Sequence, residues 1–576
     1  MSLLDCRKPS DQGLPARVGC QIMPRVSSIA LRDHAFLPAE RGSFLRIPPF
    51  PGAAANTFEP AGKSPPEWEC IAGTIDSIRR FRVGGTYWAA QPDLPSKYLL
   101  VRSPAASEHT RQLAGDYPTV TWQSEHGGAK PGTAYRYAGD CDPWHMLSGA
   151  VAVVCDARDE VVLIANILGV PAYAYDSRSD ELELLTSDPT EQSGEILPYG
   201  SLRNPFSGEA MSVGEAIELC GFWRSLIDSN RGIAGGMGFA FWKQDNVAPL
   251  LWDGSAPFRF LRSIPDGLGG KPVAIWRSRT APEILADLDQ SGVPLIEVED
   301  GFLRSNGLGA DCVPPLSITV DRLGPYFDPS QPSELELLLE NGDFDESTVA
   351  RANRLRQVIM ASGLSKYDRG SAVISRPAGR RRHILVPGQV EDDRSVQSGG
   401  CGISTNLDLL RHVREQSPDA YILYKPHPDV LAGHRKGTIR EPACLEHADQ
   451  IAANVSIAAL IDMVDEVHVN TSLSGFEALL RGKEVTTYGV PFYSGWGLTR
   501  DLGPVPARRT KRRTIDELVA ATLLLYPRYL DPLTGLPCPA EVVVDRLGSG
   551  QSGETGIVVA LRRMQGRIRR KLRVDS

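Results

Sequence analysis

From Lys271 to Gly489 short apolar runs alternate with amphipathic stretches, and this alternation limits the chain to one class of fold. "PVAIW" (272–276) reads as a strand, "APEILADLDQSG" (281–292) as a helix and "PLIEVED" (294–300) as a second strand. A helical region covers Ser333 to Ala361, and the strand "HILVPGQ" (383–389) opens a second series. Helix "TNLDLLRHVREQS", strand "AYILYKPH", helix "SIAALIDMV", strand "DEVHVN", helix "SGFEALLRG" and strand "EVTTYG" follow in order. Strands alternating with helices predict mainly parallel sheets covered on both faces. Two such sheets in succession make a two-lobed α/β enzyme with a cleft between the lobes, here 271–380 and 381–547.

A chain of 576 residues is too long for one core, so further units are expected. Residues 1–66 are rich in Pro, Gly, Ser and Arg and read as extended or disordered. Residues 67–252 read as a separate α/β domain, with strands "KYLLVRS" and "AVAVVCDA", a helix in "DEVVLIANILG" and a strand in "PAYAY". A shift of 313 positions aligns Leu147, Val151, Val154, Ala165, Gly169 and Tyr175 with Leu460, Val464, Val467, Ala478, Gly482 and Tyr488. This predicts that 67–252 is a degenerate partial repeat of the later module. A linker follows Trp252 as far as Lys271, and 548–576 form a basic tail.

Several function classes are disfavoured by composition. The ten cysteines form no CxxC pair, so reduced structural thiols are expected rather than a zinc site or disulfide framework. The net charge of −8 argues against a general nucleic-acid partner. No apolar run reaches 18 residues, and the opening "MSLLDCRKPSDQG" lacks a signal pattern, so the expected compartment is the cytosol.

Five motifs carry the chemistry. In "VEDGFLRSNGLG" (298–309), Glu299 and Asp300 end a strand, where ligands of open α/β sheets bind. Alternation along a strand means that only one of the two need reach the cleft. Either carboxylate suits a nucleophile or base at an anomeric carbon, with Arg304 gripping an acidic sugar; an acidic turn with Arg304 paired locally fits equally. In "LVPGQVEDD", Gln389, Glu391 and Asp392 are candidates for nucleotide or acceptor hydroxyls, against a plainly solvated loop. "YKPHPDV" places Lys425 and His427 on a Pro-stiffened strand end suited to a phosphate leaving group. In "VNTSLSGFEALLRGK", Ser472, Ser474 and Gly475 at a helix start suit a phosphate and Glu477 a ribose, although N-capping alone explains the serines. "YGVPFYSGWGLT" offers Phe492, Tyr493 and Trp496 as a wall for a sugar or base, or as a packed loop.

Taken together, these motifs resemble the capsular polysaccharide β-Kdo transferase family, the KpsC type, over roughly Gly270 to Leu547, matching its C-terminal transferase module. The resemblance implies a GT-B-like pair of Rossmann-type domains, here preceded by the degenerate repeat. It implies a metal-independent, retaining enzyme without a cofactor, using CMP-Kdo as donor. The acceptor would be a lysophospholipid-linked Kdo chain at the cytoplasmic face of the inner membrane, with other capsule biosynthesis or export proteins as further partners. Asp300 maps to the nucleophile, with Glu299, Arg304 and His427 in the catalytic group. Lys425, His427 and the Ser472–Glu477 turn would hold CMP, with Gln389 and Glu391 as further substrate contacts. Fuller family members carry two complete modules, whereas this chain has one "EDGFLRS" and one "KPHPDV". Another CMP-activated ulosonic acid as donor, or a non-catalytic scaffold of capsule assembly, are the alternatives. The tail "ALRRMQGRIRRKLRVDS" suits an anionic membrane surface or a solvated terminus.

Overall fold

The computed structural model describes residues 44–61, 71–102, 108–123, 135–176, 181–185, 188–189, 196–197, 200–264, 267–268, 270–303, 313–364, 375–376, 379, 381–433 and 435–551. The chain divides into two compact units, one of 1–231 with 252–256 and the other of 232–251 with 257–576. The basic tail and the greater part of 1–66 lie outside the described residues.

The first unit is built on β1 (Tyr98–Val101), β2 (Thr119–Gln123), β3 (Arg136–Ala138), β4 (Ala150–Cys155), β5 (Ala172–Asp176) and β6 (Glu181–Leu184), in the order β3-β2-β1-β4-β5-β6. All pairings are parallel except β5–β6. The run "YLLV" is apolar throughout because β1 is buried on both faces, with Leu99 and Val101 packing on Ala152 and Val154. Helix Val161–Leu168 stops at Gly169, whose φ of 72° is the left-handed conformation that closes a helix. A small hairpin, β7 (Leu202–Arg203) with β8 (Ala210–Met211), precedes the capped helix Val213–Asn230.

Two expectations for this unit need correction. Phe44, Leu45, Ile47 and Phe50 are buried, so 44–61 belong to the folded unit rather than to an extended arm. Their apolar side chains are spaced among prolines, which hides the pattern from composition. The domain also does not run unbroken to residue 252. Helix Phe241–Leu251 belongs to the second unit, where Leu250 and Leu251 pack on Ile296, Val298 and Ile318. Phe258 and Phe260 of the expected linker are likewise packed there, edge-on to Phe239.

The second unit holds two six-stranded sheets. The strands in chain order are β9 (Gly236–Met237), β10 (Val273–Ile275), β11 (Leu295–Asp300), β12 (Ser317–Asp321), β13 (His383–Pro387), β14 (Tyr421–Lys425), β15 (Gln450–Ile451), β16 (Glu466–Val469), β17 (Glu484–Thr487), β18 (Arg500–Asp501), β19 (Pro527–Leu530) and β20 (Pro537–Cys538). One sheet runs β20-β19-β12-β11-β10-β9 and the other β15-β14-β13-β16-β17-β18.

The second of these sheets is wholly parallel. Its order places the first strand of the lobe beside the fourth, the doubly wound arrangement whose switch point lies between β13 and β16. The sheet of the first unit follows the same order. That order is general among doubly wound sheets, so it describes shared architecture and not the expected duplication.

The other sheet departs from the parallel expectation. β9, β10 and β11 are parallel, but β12, β19 and β20 each pair antiparallel with the preceding neighbour. β12, the next strand in the chain, lies beside β11 and pairs with it antiparallel. The lobe boundary at 380/381 is also not a clean cut, because β19 and β20 return to the earlier sheet.

Buried charge and aromatic packing hold the two lobes of this unit together. Glu336 of helix Glu334–Asn341 accepts from both Arg508 and Arg509, the latter at 2.7 Å. Phe302, just beyond β11, lies 4.9 Å from Phe492 and 6.3 Å from Phe476, ring centroid to centroid.

Candidate active site

The carboxyl end of β11 carries the first half of the site. Strand alternation puts Glu297 and Glu299 on one face and Asp300 on the other. Arg394, at the start of helix Arg394–Gly399 in the other lobe, donates to Glu299 at 2.7 Å and lies 3.6 Å from Glu297. Arg277 donates to Glu297 from the neighbouring strand end at 2.5 Å. On the opposite face, Lys243 of helix Phe241–Leu251 donates to Asp300 at 3.0 Å. Burial pushes the Glu299 carboxyl up to about 7, helped by Asp300 and Glu297 and opposed by Arg394 and Lys243. Adjacent acids thus meet different surroundings. Glu299 faces a cation across the cleft, while Asp300 is held from its own lobe.

The switch point of the parallel sheet carries the second half. Loops leaving β13 and β16 are locked to each other by Gln389, whose amide donates to the Thr471 hydroxyl at 2.9 Å. The same amide accepts from the Thr471 backbone N–H at 3.0 Å. Asn406 exchanges hydrogen bonds with the Gln389 backbone, and Glu391 accepts from the Asn406 N–H at 2.9 Å. Gln389 and Glu391 therefore brace the loops at this strand end. Asp392 is exposed and pairs with Arg435.

Helix Leu473–Leu480 begins at this point, with the Ser472 hydroxyl capping the N–H of Ser474 at 3.2 Å. Both serines are half-buried at the helix start, where unpaired N–H groups favour an anion. Gly475 has a different reason to be glycine than phosphate contact. A Cβ there would overlap the Tyr493 hydroxyl, which donates to the Ser472 carbonyl at 2.5 Å. Glu477, one turn along, is half-buried beside Phe302, Leu303 and Arg481.

Lys425 ends β14 almost fully buried and donates to the Ala453 carbonyl at 3.1 Å. His427 caps the short helix Pro428–Leu431, its Nδ1 accepting from the Asp429 N–H at 3.1 Å. With Nδ1 as acceptor, a neutral ring carries its proton on Nε2 and can donate there. β14 and β16 flank β13, so their carboxyl ends are about 10 Å apart, the span of two strand spacings. Phe492, Tyr493 and Trp496 are all buried, which resolves that segment as a packed loop and not a sugar-facing wall. Arg304 lies outside the described residues.

Sequence reasoning missed Lys243, Arg277, Glu297 and Arg394. Arg394 stood next to a motif already singled out, in "VEDDRS", and was passed over for the acids before it. Lys243 lay in a segment assigned to another domain.

Comparison with known proteins follows the same geography. Residues 272–529 match the family model described as capsule polysaccharide biosynthesis protein. The chain is 37% identical over 433 residues to the capsule polysaccharide modification protein LipA of Neisseria meningitidis serogroup B, covering 71% of this chain and 61% of that one. It is 34% identical to a solved structure of Thermosulfurimonas dismutans KpsC, beta Kdo 2,7 transferase, covering 55% of this chain and 98% of that one, with a TM-score of 0.44. The chain belongs to the KpsC-type capsule polysaccharide biosynthesis family. A second structure, Thermosulfurimonas dismutans KpsC, beta Kdo 2,4 transferase, is 33% identical over the same shares, with a TM-score of 0.48. The family match covers both halves of the site, from β10 through β19, and leaves out Lys243.

Proposed function

We propose that this chain is a retaining glycosyltransferase that moves Kdo from CMP-Kdo onto a Kdo-bearing glycolipid of capsule assembly. The observation that carries the reading is the acid pair Glu299–Asp300 at the end of β11, joined through Arg394 to the lobe that holds the β13/β16 switch point. The match to the capsule polysaccharide biosynthesis family supports a capsule glycolipid as the acceptor class. In the proposed first step an Asp300 oxygen bonds to the anomeric carbon as the bond to the CMP phosphate breaks, its electron pair leaving with CMP. Lys425, His427 and the N–H groups above Ser472 are the groups suited to that phosphate. In the second step an acceptor hydroxyl displaces Asp300, so two inversions retain configuration. Glu299, with its carboxyl near neutrality, is suited to take the hydroxyl proton. The step is written without a metal. Such an acceptor would place the protein peripherally at the cytoplasmic face of the inner membrane.

The test is mass spectrometry of a Kdo-terminated lysophospholipid acceptor after incubation with CMP-Kdo. One added Kdo per transfer with release of CMP is expected, falling on the order of 10³-fold or more in Asp300→Ala. Full activity of Asp300→Ala refutes the assignment of the nucleophile, and no transfer by the unaltered protein refutes the donor.

A further inference from the structure

We propose that Lys243, which lies outside the matched family segment, is a positioning residue that keeps the Asp300 carboxylate ionised and fixed at the end of β11. The inference rests on the proposed role of Asp300 as the attacking group. Lys243 is 6% exposed, an unusual burial for an ammonium unless it is paired. Its Nζ donates to Asp300 Oδ1 at 3.0 Å and sits 3.4 Å from the centre of the Trp276 ring. Trp276 is itself buried at the end of β10, next to β11, so the ammonium is held between a ring face and a carboxylate.

The position runs against the local electrostatics of the helix. Lys243 stands in the first turn of Phe241–Leu251, which contains no acid, and a cation there opposes the helix dipole. A basic residue placed both in a buried site and at the unfavourable end of its helix needs compensation from elsewhere. Asp300, 57 residues away, supplies a paired carboxylate. Conflict between local rule and tertiary placement concentrates at functional sites.

The other charged groups of the cluster are Glu299 and Glu297 on the same strand, Arg277 beyond β10 and Arg394 from the other lobe, and these reach the opposite face. Lys243 reaches Asp300 on the other side of the strand.

The experiment uses the full chain with Lys243→Met, Lys243→Arg, Asp300→Asn and the double variant Lys243→Met/Asp300→Asn. Urea midpoints at pH 7.5 read the pairing without any substrate. Asp300→Asn strands a buried ammonium, so the double variant should unfold at higher urea than Asp300→Asn alone; losses that simply add overturn the proposal. The pH profile of Kdo transfer reads the function. Lys243→Met should move the acid limb up by about one pH unit, with on the order of tenfold less activity below it, and Lys243→Arg should restore it. A uniform loss at all pH values, with the limb unmoved, overturns the positioning role. If the unaltered protein transfers nothing from CMP-Kdo, the donor reading fails and the urea comparison decides for Lys243.

Discussion

Replacing Glu299 by Gln gives a prediction whose sign and size follow from its surroundings. Burial raises this carboxyl from 4.5 to about 7 in the folded protein. Below pH 4.5 the group is protonated in both folded and unfolded chains and contributes no pH dependence. As pH rises from 4.5 to 7 the unfolded chain ionises while the folded one holds its proton, so stability falls across that window. Above pH 7 the loss is complete and amounts to about 3 kcal/mol, at about 1.4 kcal/mol per pH unit. The side chain is 16% exposed, so solvent screening removes little of this. Gln does not titrate, and Glu299→Gln should therefore gain about 3 kcal/mol relative to the unaltered protein between pH 5 and pH 8. Urea denaturation of both proteins at pH 5, 6, 7 and 8 measures the difference. A gap that stays constant with pH would show that Glu299 titrates like an exposed carboxylate, and the reasoning from burial would be wrong.

Two further outcomes test the packing that supports the site. Glu336→Ala strands Arg509, which is 8% exposed, and should lower unfolding stability by about 3–5 kcal/mol; a change under about 1 kcal/mol would mean that water already serves the guanidinium. Gly475→Ala should displace the Tyr493 ring and cost about 1–3 kcal/mol, with faster amide exchange at the start of helix Leu473–Leu480 as its local signature; unchanged exchange there would count against the link between Tyr493 and the Ser472 turn.

The parallel sheet was legible because its central strands are short, largely buried runs separated by helices. "HILVPGQ" and "EVTTYG" match β13 and β17 to within a few residues at their ends. The antiparallel half of the other sheet was not legible. β12 is the next strand after β11 yet pairs with it antiparallel, and β19 is a four-residue "PRYL" whose partner lies far earlier in the chain. Neither has a periodicity that names its neighbour. The acids at 299 and 300 were found because a strand end is a local feature. Their cations were not, because Lys243 and Arg394 reach them from other elements. The bracing by Gln389 and Glu391 was not legible. Polar residues beside a strand end look alike in sequence, and the hydrogen bonds to Thr471 and Asn406 reach segments further along the chain.

The return of β19 to β12 sets the order in which this lobe is completed during synthesis. β12 ends at Asp321 and its partner begins at Pro527. At a ribosomal rate of about 5–20 residues per second, that gap lasts on the order of 10–40 s. Throughout it the hydrogen-bonding groups on one side of β12 await a strand that has not yet been made, while the whole parallel sheet emerges between them. The nascent chain must keep an open sheet edge from meeting another copy for that interval.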